Sequence, residues 1–192
     1  MKILYIHGYG GSKDGSTSQL IRSVRAADEV FAPQFDYKHP DIALNEISQH
    51  IKSYNPDVIV ASSLGALYLL QKNCGIHRVL INPALPQNLI NIDNDESFIK
   101  ALEQLEIKMH EHSLEMVDFI FGLKDEVAPN MKYFMDKYLG NPEFRFHTIL
   151  NMGHELSKQG ANGMFNNVMD VISWEVRLFG SEKDYTNENI DC

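Results

Sequence analysis

The chain has 192 residues, of which 44% are hydrophobic and 22% charged, and its formal net charge is −9 at pH 7. This composition is typical of one globular domain with a substantial core. The acidic balance argues against a nucleic-acid partner, whose phosphates call for clustered Lys and Arg. No stretch approaches the roughly 20 apolar residues of a membrane span, and no basic signal segment is expected before the first apolar run.

Six short apolar runs predict β-strands, and segments of helical period lie between and after them. The predicted strands are residues 2–7, 29–33, 57–62, 78–83, 116–122 and 143–150. The predicted helices are residues 16–26, 40–54, 64–73, 127–138 and 161–177. Apolar strands that alternate with helices indicate a mostly parallel sheet covered by helices on both faces. We therefore expect an α/β three-layer sandwich.

The connection between the fourth and fifth predicted strands is longer than a simple crossover. Residues 84–115 contain an amphipathic segment with an acidic start, which is typical of a helix N-terminus. This connection is either a long crossover helix or a small cap over the active site, since long connections in compact domains are often lids. We expect a single domain over residues 1–179 and a loose polar tail over residues 180–192.

The sequence suggests no metal site and no cofactor. The two cysteines, Cys74 and Cys192, form no metal-ligand cluster, and no disulfide framework is expected, which favours a reducing cytoplasm. His110 and His112 are two residues apart on a predicted helix, so their side chains diverge and cannot share a metal.

The first predicted strand runs into a glycine-rich loop, HGYGGSKDGST, at residues 7–17. A P-loop needs G-x-x-x-x-G-K-[ST], but Ser16 follows Gly15 where the lysine is required. A dinucleotide-binding loop needs G-x-G-x-x-G, but Lys13 stands at the third glycine position. The remaining interpretation is a loop that forms half of an oxyanion hole.

The third predicted strand ends in a motif typical of a nucleophile elbow. Ala61-Ser62-Ser63-Leu64-Gly65 matches small-x-Ser-x-Gly between an apolar strand and a helical run. Ser63 takes the nucleophile position because Gly65 lies two residues after it, whereas Ser62 has Leu64 there. Small flanking residues are needed because the strained turn brings strand and helix together. The alternative for Ser63 is an ordinary helix N-cap.

A serine nucleophile needs a base, and the base needs an orienting acid. Both are expected on loops after later strands, in the order Ser, acid, His. His154, in NMGHEL after the sixth predicted strand, is the candidate base. Asp125, in GLKDEVAP after the fifth, is preferred to Glu126 as the acid because the next helix is predicted to begin at Val127. Asp125 as a helix N-cap is the alternative, and Asp118 lies inside a strand.

The segments YIHGYGGS, ASSLG, LINPAL, GLKDEVAP and MGHEL resemble, in order and context, those of the α/β-hydrolase superfamily. The sequence is most similar to its small bacterial branch, the YqiA-like esterases, over residues 1–178. The resemblance implies a six-stranded sheet of order 2-1-3-4-5-6. It also implies a serine hydrolase with Ser63 as nucleophile, His154 as base and Asp125 as acid.

The same resemblance implies an oxyanion hole made by the backbone N–H groups of Tyr9 and Leu64. Ala61 departs from the family's usual glycine, which bears on the rate more than on the mechanism. Four residues are expected to support the loop and the elbow: His7, Gly8, Gly10 and Gly65.

The expected reaction is hydrolysis of a small or short-chain acyl ester through an acyl-enzyme, and the expected partner is this small-molecule ester. A thioester or another acyl group attacked by the same triad is an alternative, because the pocket decides the substrate. A non-catalytic binding module with this fold is the second alternative. The sequence indicates neither the physiological substrate nor the oligomeric state.

Overall fold

The computed structural model of the protein describes residues 1–72, 74–89, 95–105 and 116–179. Six strands form one sheet of order β2-β1-β3-β4-β5-β6, and all neighbouring strands are parallel. The strands are β1 Lys2–Ile6, β2 Glu29–Phe31, β3 Val58–Ser62, β4 His77–Ile81, β5 Val117–Gly122 and β6 Phe144–Ile149. The predicted strand order is confirmed, and each predicted strand differs from the observed one by at most two residues at either end.

Helices connect the strands and cover both faces of the sheet. They are α1 Ser16–Val24, α2 Pro40–Tyr54, α3 Leu64–Leu69, α4 Pro86–Leu89, α5 Glu96–Glu103, α6 Met131–Tyr138, α7 Lys158–Gly160 and α8 Asn166–Phe179. A π-helical turn, Ala161–Phe165, joins α7 to α8. It interrupts the helix predicted over residues 161–177, because Gly163 has φ −112° and ψ −108°, outside the helical region.

The side chains of each central strand alternate between two cores. Leu4 and Ile6 of β1 belong to the core beneath α2 and α3, whereas Ile3 and Tyr5 belong to the core beneath α1 and α8. A strand that is buried on both faces needs apolar residues at nearly every position. This explains why the strand signals in the sequence are continuous apolar runs.

The connection from β4 to β5 contains α4 and α5 within its described part. The Asp95 side chain accepts hydrogen bonds from the N–H groups of Ser97 and Phe98, both at 3.1 Å, and so caps α5. Phe98 is buried, and its ring stacks on that of Tyr9 with the centroids 5.7 Å apart. The connection therefore contacts the glycine-rich loop. Residues 90–94 and 106–115, which include His110 and His112, lie outside the described residues, as does the tail over residues 180–192.

Cys74 differs from the sequence-based expectation. It is buried and disulfide-bonded, whereas the sequence suggested no disulfide. The inference of a reducing compartment depended on unpaired thiols and therefore has no support from the structure. Cys192 lies outside the described residues.

Candidate active site

Ser63 occupies a strained turn between β3 and α3. Its φ is 51° and its ψ −122°, and residues other than glycine seldom adopt a positive φ unless the surrounding structure enforces it. Its N–H donates to the carbonyl of Ile81 at 2.9 Å, which ties the turn to β4. The Ser63 hydroxyl accepts no hydrogen bond from the described first turn of α3. The structure thus has the backbone geometry of a nucleophile elbow at Ser63.

Two glycines allow the loop after β1 to touch this turn. A Cβ on Gly8 would lie 2.8 Å from the Cβ of Ser63. A Cβ on Gly65 would lie 2.4 Å from the carbonyl oxygen of His7 and 2.8 Å from that of Ile6. Real Cβ atoms do not approach other atoms this closely, so any side chain at either position would push the loop and the turn apart.

His154 lies between Ser63 and Asp125. Its Nε2 atom is 2.8 Å from Oγ of Ser63, and its Nδ1 atom is 3.0 Å and 3.1 Å from the two carboxylate oxygens of Asp125. An ionised carboxylate only accepts hydrogen bonds, so Nδ1 carries the proton and Nε2 is free to accept the hydroxyl proton of Ser63. This arrangement can move a proton from the serine to the histidine.

Asp125, and not Glu126, is the acid that the structure brings to His154. Asp125 is buried, whereas Glu126 is exposed. The carboxylate also accepts hydrogen bonds from the N–H groups of Val127 and Ala128, both at 2.9 Å. Burial alone would raise the pKa of Asp125, but the hydrogen bonds from His154 and these N–H groups outweigh it and lower the pKa. Asp125 is therefore held as an anion.

The reason for preferring Asp125 in the sequence was nevertheless wrong in one detail. The next helix, α6, begins at Met131 and not at Val127. Residues 125–128 instead form a turn closed by the Asp125 side chain, an arrangement typical of aspartate. Because this turn orients the carboxylate before any helix begins, Asp125 is not the N-cap of α6.

The two expected oxyanion donors come from different segments, Leu64 from the start of α3 and Tyr9 from the loop after β1. Leu64 is the first residue of α3, where backbone N–H groups have no carbonyl acceptor within the helix. Tyr9 follows Gly8 on the loop after β1, and Gly10 next to it has φ 70°, a left-handed conformation that glycine adopts without strain. The Gly11 N–H donates to the Gly8 carbonyl at 3.0 Å and closes the turn that carries Tyr9.

His7 connects this loop to the segment after β2. Its Nδ1 atom donates to the carbonyl of Gly8 at 2.8 Å, and its Nε2 atom accepts from the N–H of Phe35 at 3.1 Å. The Tyr37 hydroxyl donates to the His7 carbonyl. Burial lowers the pKa of His7. The imidazole is therefore neutral and has both nitrogens engaged with the backbone.

Ser63 and His154 open on a cavity of about 260 Å³. It lies between the loop after β1 and the loop after β6, and Tyr9 and Gly10 belong to its lining. The carboxyl ends of β1 and β3 meet here, and the strand order reverses between these two strands. Ligands of open α/β sheets bind at such a switch point.

Asn82 is a residue of this region to which the sequence assigned no role. It follows β4, has φ 43° and is 1% exposed. Its side-chain amide donates to the carbonyls of Gly153 at 2.9 Å and His154 at 2.7 Å, and its side-chain oxygen accepts from the N–H of Gly122 at 2.7 Å. The available signal was an asparagine directly after an apolar strand, in LINPAL.

Two histidines away from the cavity have structural partners. His77 and His147 both form hydrogen bonds with Asp118. Within the described ranges, no group of three or more His, Cys, Asp or Glu side chains is arranged to hold a metal ion. Over the same ranges, no helix combines the length and the apolar character needed to cross a membrane.

Comparison with known proteins identifies the family. The model of the uncharacterised protein family UPF0227 matches residues 2–120. The chain belongs to this family. UPF0227 is the YqiA-like family, as the motif order suggested. No curated protein matches the UPF0227 chain.

Solved structures share the fold of this UPF0227 protein. Mouse alpha/beta hydrolase domain-containing protein 10 has a TM-score of 0.71 at 14% identity, covering 91% of this chain and 90% of its own. The ydeN gene product of B. subtilis has a TM-score of 0.67 at 14% identity, with 90% and 98% covered. The esterase domain of a Rhodothermus marinus protein has a TM-score of 0.64 at 14% identity, with 92% and 86% covered. The UPF0227 chain therefore has the α/β-hydrolase fold.

Proposed function

We propose that this UPF0227 protein is a serine hydrolase that cleaves carboxylic esters with small or short-chain acyl groups. The observation that carries the proposal is the unbroken chain of hydrogen bonds from Ser63 through His154 to Asp125, beside a cavity. The structures of similar fold include an alpha/beta hydrolase domain-containing protein and an esterase domain, which supports the same class of reaction.

In the first step, His154 accepts the hydroxyl proton of Ser63 while Oγ attacks the carbonyl carbon of the ester. The negative charge that develops on the carbonyl oxygen is stabilised by the N–H groups of Tyr9 and Leu64, each contributing about 3 kcal/mol to lowering the barrier. The bond from carbon to the alcohol oxygen then breaks. The alcohol leaves with the proton from His154, and an acyl-Ser63 remains.

In the second step, water attacks the acyl-Ser63 and His154 accepts a proton from this water. The bond between Oγ and the acyl carbon breaks, and Ser63 regains its proton from His154. Asp125 stays ionised throughout and stabilises the imidazolium that forms in both steps. One ester and one water yield one alcohol and one carboxylic acid, and the step requires no other reactant.

We further propose that the described part of the connection from β4 to β5, residues 84–89 and 95–105, belongs to a small cap within a single hydrolase domain. The stacking of Phe98 in α5 on Tyr9 supports this assignment, because it joins the connection to the loop that carries a proposed oxyanion donor.

Labelling with a fluorophosphonate probe tests the nucleophile. The wild-type protein should be labelled, and Ser63→Ala should lose both the label and the hydrolysis of p-nitrophenyl acetate. Ser62→Ala is the matched control and should keep the label, since the Ser62 hydroxyl is hydrogen-bonded to Tyr5 at 2.8 Å and not to His154. Labelling that persists in Ser63→Ala would refute the assignment.

The dependence on pH tests the base. A histidine that accepts a proton must first be neutral, so kcat/KM should fall on the acidic side of the profile as His154 becomes protonated. A kcat/KM that is constant from about pH 5 to 9 would contradict the role of His154.

A panel of oxygen esters, thioesters and amides with the same acyl group tests the bond that is cleaved. We expect the oxygen esters to give the highest kcat/KM. A protein that is inert towards the probe and the whole panel would be a binding module with this fold.

A further inference from the structure

The cavity beside Ser63 has a lining rich in hydroxyl groups. Among the sixteen described residues that line it, eight bear a hydroxyl group and four are glycines. Among these sixteen described lining residues, Leu156 alone has an aliphatic side chain. Pockets that bind apolar ligands are lined mainly by aliphatic and aromatic side chains. The lining therefore favours a ligand with hydrogen-bonding groups of its own.

Several of these hydroxyls are fixed by the fold. The Tyr5 hydroxyl lies 2.8 Å from Oγ of Ser62 and is also hydrogen-bonded to the side chain of Thr17. Burial raises the pKa of Tyr5 to about 12, so its hydroxyl stays protonated. This row of hydroxyls connects α1, β1 and β3 directly beside the proposed nucleophile.

The charges in the lining restrict the ligand further. No Lys or Arg is among the described lining residues, and Glu155 contributes a carboxylate whose Oε2 accepts from the Ser16 hydroxyl at 3.2 Å. An anionic group on the substrate would find no counter-charge in this lining and would be repelled by Glu155. A neutral ligand with many hydroxyls matches both the hydrogen-bonding capacity and the charge.

An alkyl group in the same cavity would displace water from these hydroxyls without replacing the lost hydrogen bonds, which costs free energy. A polyhydroxylated group both donates and accepts, as the lining does. The cavity volume of about 260 Å³ is also below the roughly 300–1,000 Å³ of pockets for drug-sized ligands. This small size argues against a long acyl chain.

We propose that the substrate is an ester of a short acyl group with a neutral sugar or other polyol, whose hydroxyls bind in this cavity. The proposal rests on the proposed function and names the alcohol that it releases. Hydrolysis breaks the bond between the acyl carbon and the polyol oxygen. That oxygen takes the proton that His154 removed from Ser63, and water supplies the second oxygen of the carboxylic acid.

The test compares two acetates that share a primary alcohol and a six-membered ring. Methyl 6-O-acetyl-glucoside carries ring hydroxyls, and cyclohexylmethyl acetate does not. We expect the wild-type protein to give at least a tenfold higher kcat/KM with the sugar acetate. An equal or higher kcat/KM with the cyclohexyl ester would overturn the proposal. So would hydrolysis of neither ester by a protein whose Ser63 is labelled by the fluorophosphonate, whereas failure of the labelling itself would overturn the proposed function.

A hydroxyl deletion tests the lining directly. Thr17→Val removes one hydroxyl at almost constant volume and should lower the ratio of the two kcat/KM values about fivefold, the effect expected of one hydrogen bond. Thr148→Val makes the same change on the exposed face of β6, outside the lining, and should leave the ratio unchanged. A ratio that is the same in both variants would contradict recognition by the hydroxyls.

An independent observation concerns Asn82. Its three side-chain hydrogen bonds join the end of β5 at Gly122 to the carbonyls of Gly153 and His154. The Gly122 backbone lies so close to the histidine loop that a Cβ there would be 2.3 Å from the Met152 carbonyl oxygen. We infer that Asn82 is a positioning residue, which fixes the backbone of the proposed base relative to the strand that precedes the acid. This inference also rests on the proposed function.

Asn82→Ala should lower kcat at least tenfold with KM changed by less than twofold, because a displaced imidazole slows the proton transfer without removing a substrate contact. Asn130→Ala is the matched control, since Asn130 is also a buried amide but donates to Pro83 and Asn88. It should keep kcat within twofold at a temperature where both variants are folded. Equal losses of kcat in the two variants would reduce Asn82 to a structural role and overturn the inference.

Discussion

Arg145 contacts both carboxylate oxygens of Asp118: its Nε atom lies 2.9 Å from Oδ1 and its Nη2 atom 2.7 Å from Oδ2. The two residues are register partners on β6 and β5. His77 and His147 lie 2.7 Å and 2.6 Å from the same carboxylate. Asp118 is 1% exposed and lies near the amino end of β5, whereas Ser63 follows the carboxyl end of β3. The two residues therefore lie at opposite ends of the parallel strands. This cluster is therefore expected to contribute to stability and not to the reaction.

Asp118→Asn should lower the free energy of unfolding at pH 7 by about 3 kcal/mol, because the partly buried Arg145 loses its buried carboxylate partner and is left with the ion pair to Glu175 at 3.2 Å. Urea denaturation measures this difference. Asp136→Asn is the control, since Asp136 pairs with Lys132 on the surface and should cost less than about 1 kcal/mol. Equal costs for the two variants would contradict a stabilising cluster.

The same carboxylate predicts a dependence of stability on pH. Burial would raise the pKa of Asp118, but the hydrogen bonds from His147, His77 and Arg145 outweigh it and hold the pKa well below its usual range. A lowered pKa in the folded state stabilises the protein above the unfolded value of about 3.9, and this stabilisation is lost as the pH falls through the folded value. The difference in unfolding free energy between wild type and Asp118→Asn should therefore be constant above about pH 5 and shrink below about pH 4. A difference that grows on acidification would contradict this account.

Gly65→Ala should disrupt the junction between the glycine-rich loop and the elbow. The added Cβ would meet the backbone oxygens of His7 and Ile6, which cannot move without displacing β1. We expect a loss of about 2 kcal/mol or more in unfolding free energy, together with slower fluorophosphonate labelling of Ser63. Gly153→Ala is the control for stability, because its Cβ would find the nearest atom at an ordinary 3.7 Å. The prediction fails if Gly65→Ala is labelled at the wild-type rate.

His7→Phe should keep the ring but leave the Phe35 N–H without its acceptor. We expect a loss of about 2 kcal/mol of stability at pH 7.5. Burial lowers the pKa of His7, so its contribution is complete above the ordinary imidazole value of about 6.5 and is lost as the pH falls. Wild type should accordingly lose more stability between pH 7.5 and 5 than His7→Phe does. His50→Phe, beside the same aromatic ring of Phe35, should behave like the wild type over this range.

Asp125→Asn should lower kcat by about 10³ to 10⁴, because an amide no longer fixes the tautomer of His154 or stabilises the imidazolium. Glu126→Gln is the adjacent control and should keep kcat within twofold, since Glu126 is exposed. Hydrolysis of p-nitrophenyl acetate measures both variants. A larger loss in Glu126→Gln than in Asp125→Asn would exchange the two assignments.

The sequence predicted the strands well because they depend on local patterns, whereas their order was implied by the resemblance to the α/β-hydrolase superfamily. Continuous apolar runs indicate strands buried on both faces, and the small-x-Ser-x-Gly motif indicates a sharp turn whose φ at Ser63 is indeed positive. The start of α6 was misplaced because the Asp125 side chain forms a turn of its own. The interruption at Gly163 was missed because the apolar spacing of a helix continues across it.

The side-chain clusters could not be predicted in the same way. Asn82 contacts residues about 70 positions further along the chain, and Asp118 on β5 contacts side chains from its two neighbouring strands, β4 and β6. Such contacts depend on the register between strands, and a slip of one residue would move every side chain to the opposite face.

For this protein, the sequence by itself determined the parallel sheet and the strained turn at Ser63. These features follow from apolar periodicity and from the small residues that a tight turn requires. Only the tertiary structure decided that Asp125 and not Glu126 reaches His154, that Asn82 holds the histidine loop, and that hydroxyls line the cavity. The physical reason is that hydrogen bonds between distant segments need atoms within about 3 Å of one another. Distances of that size are fixed only when the chain is packed and its strands are paired in register.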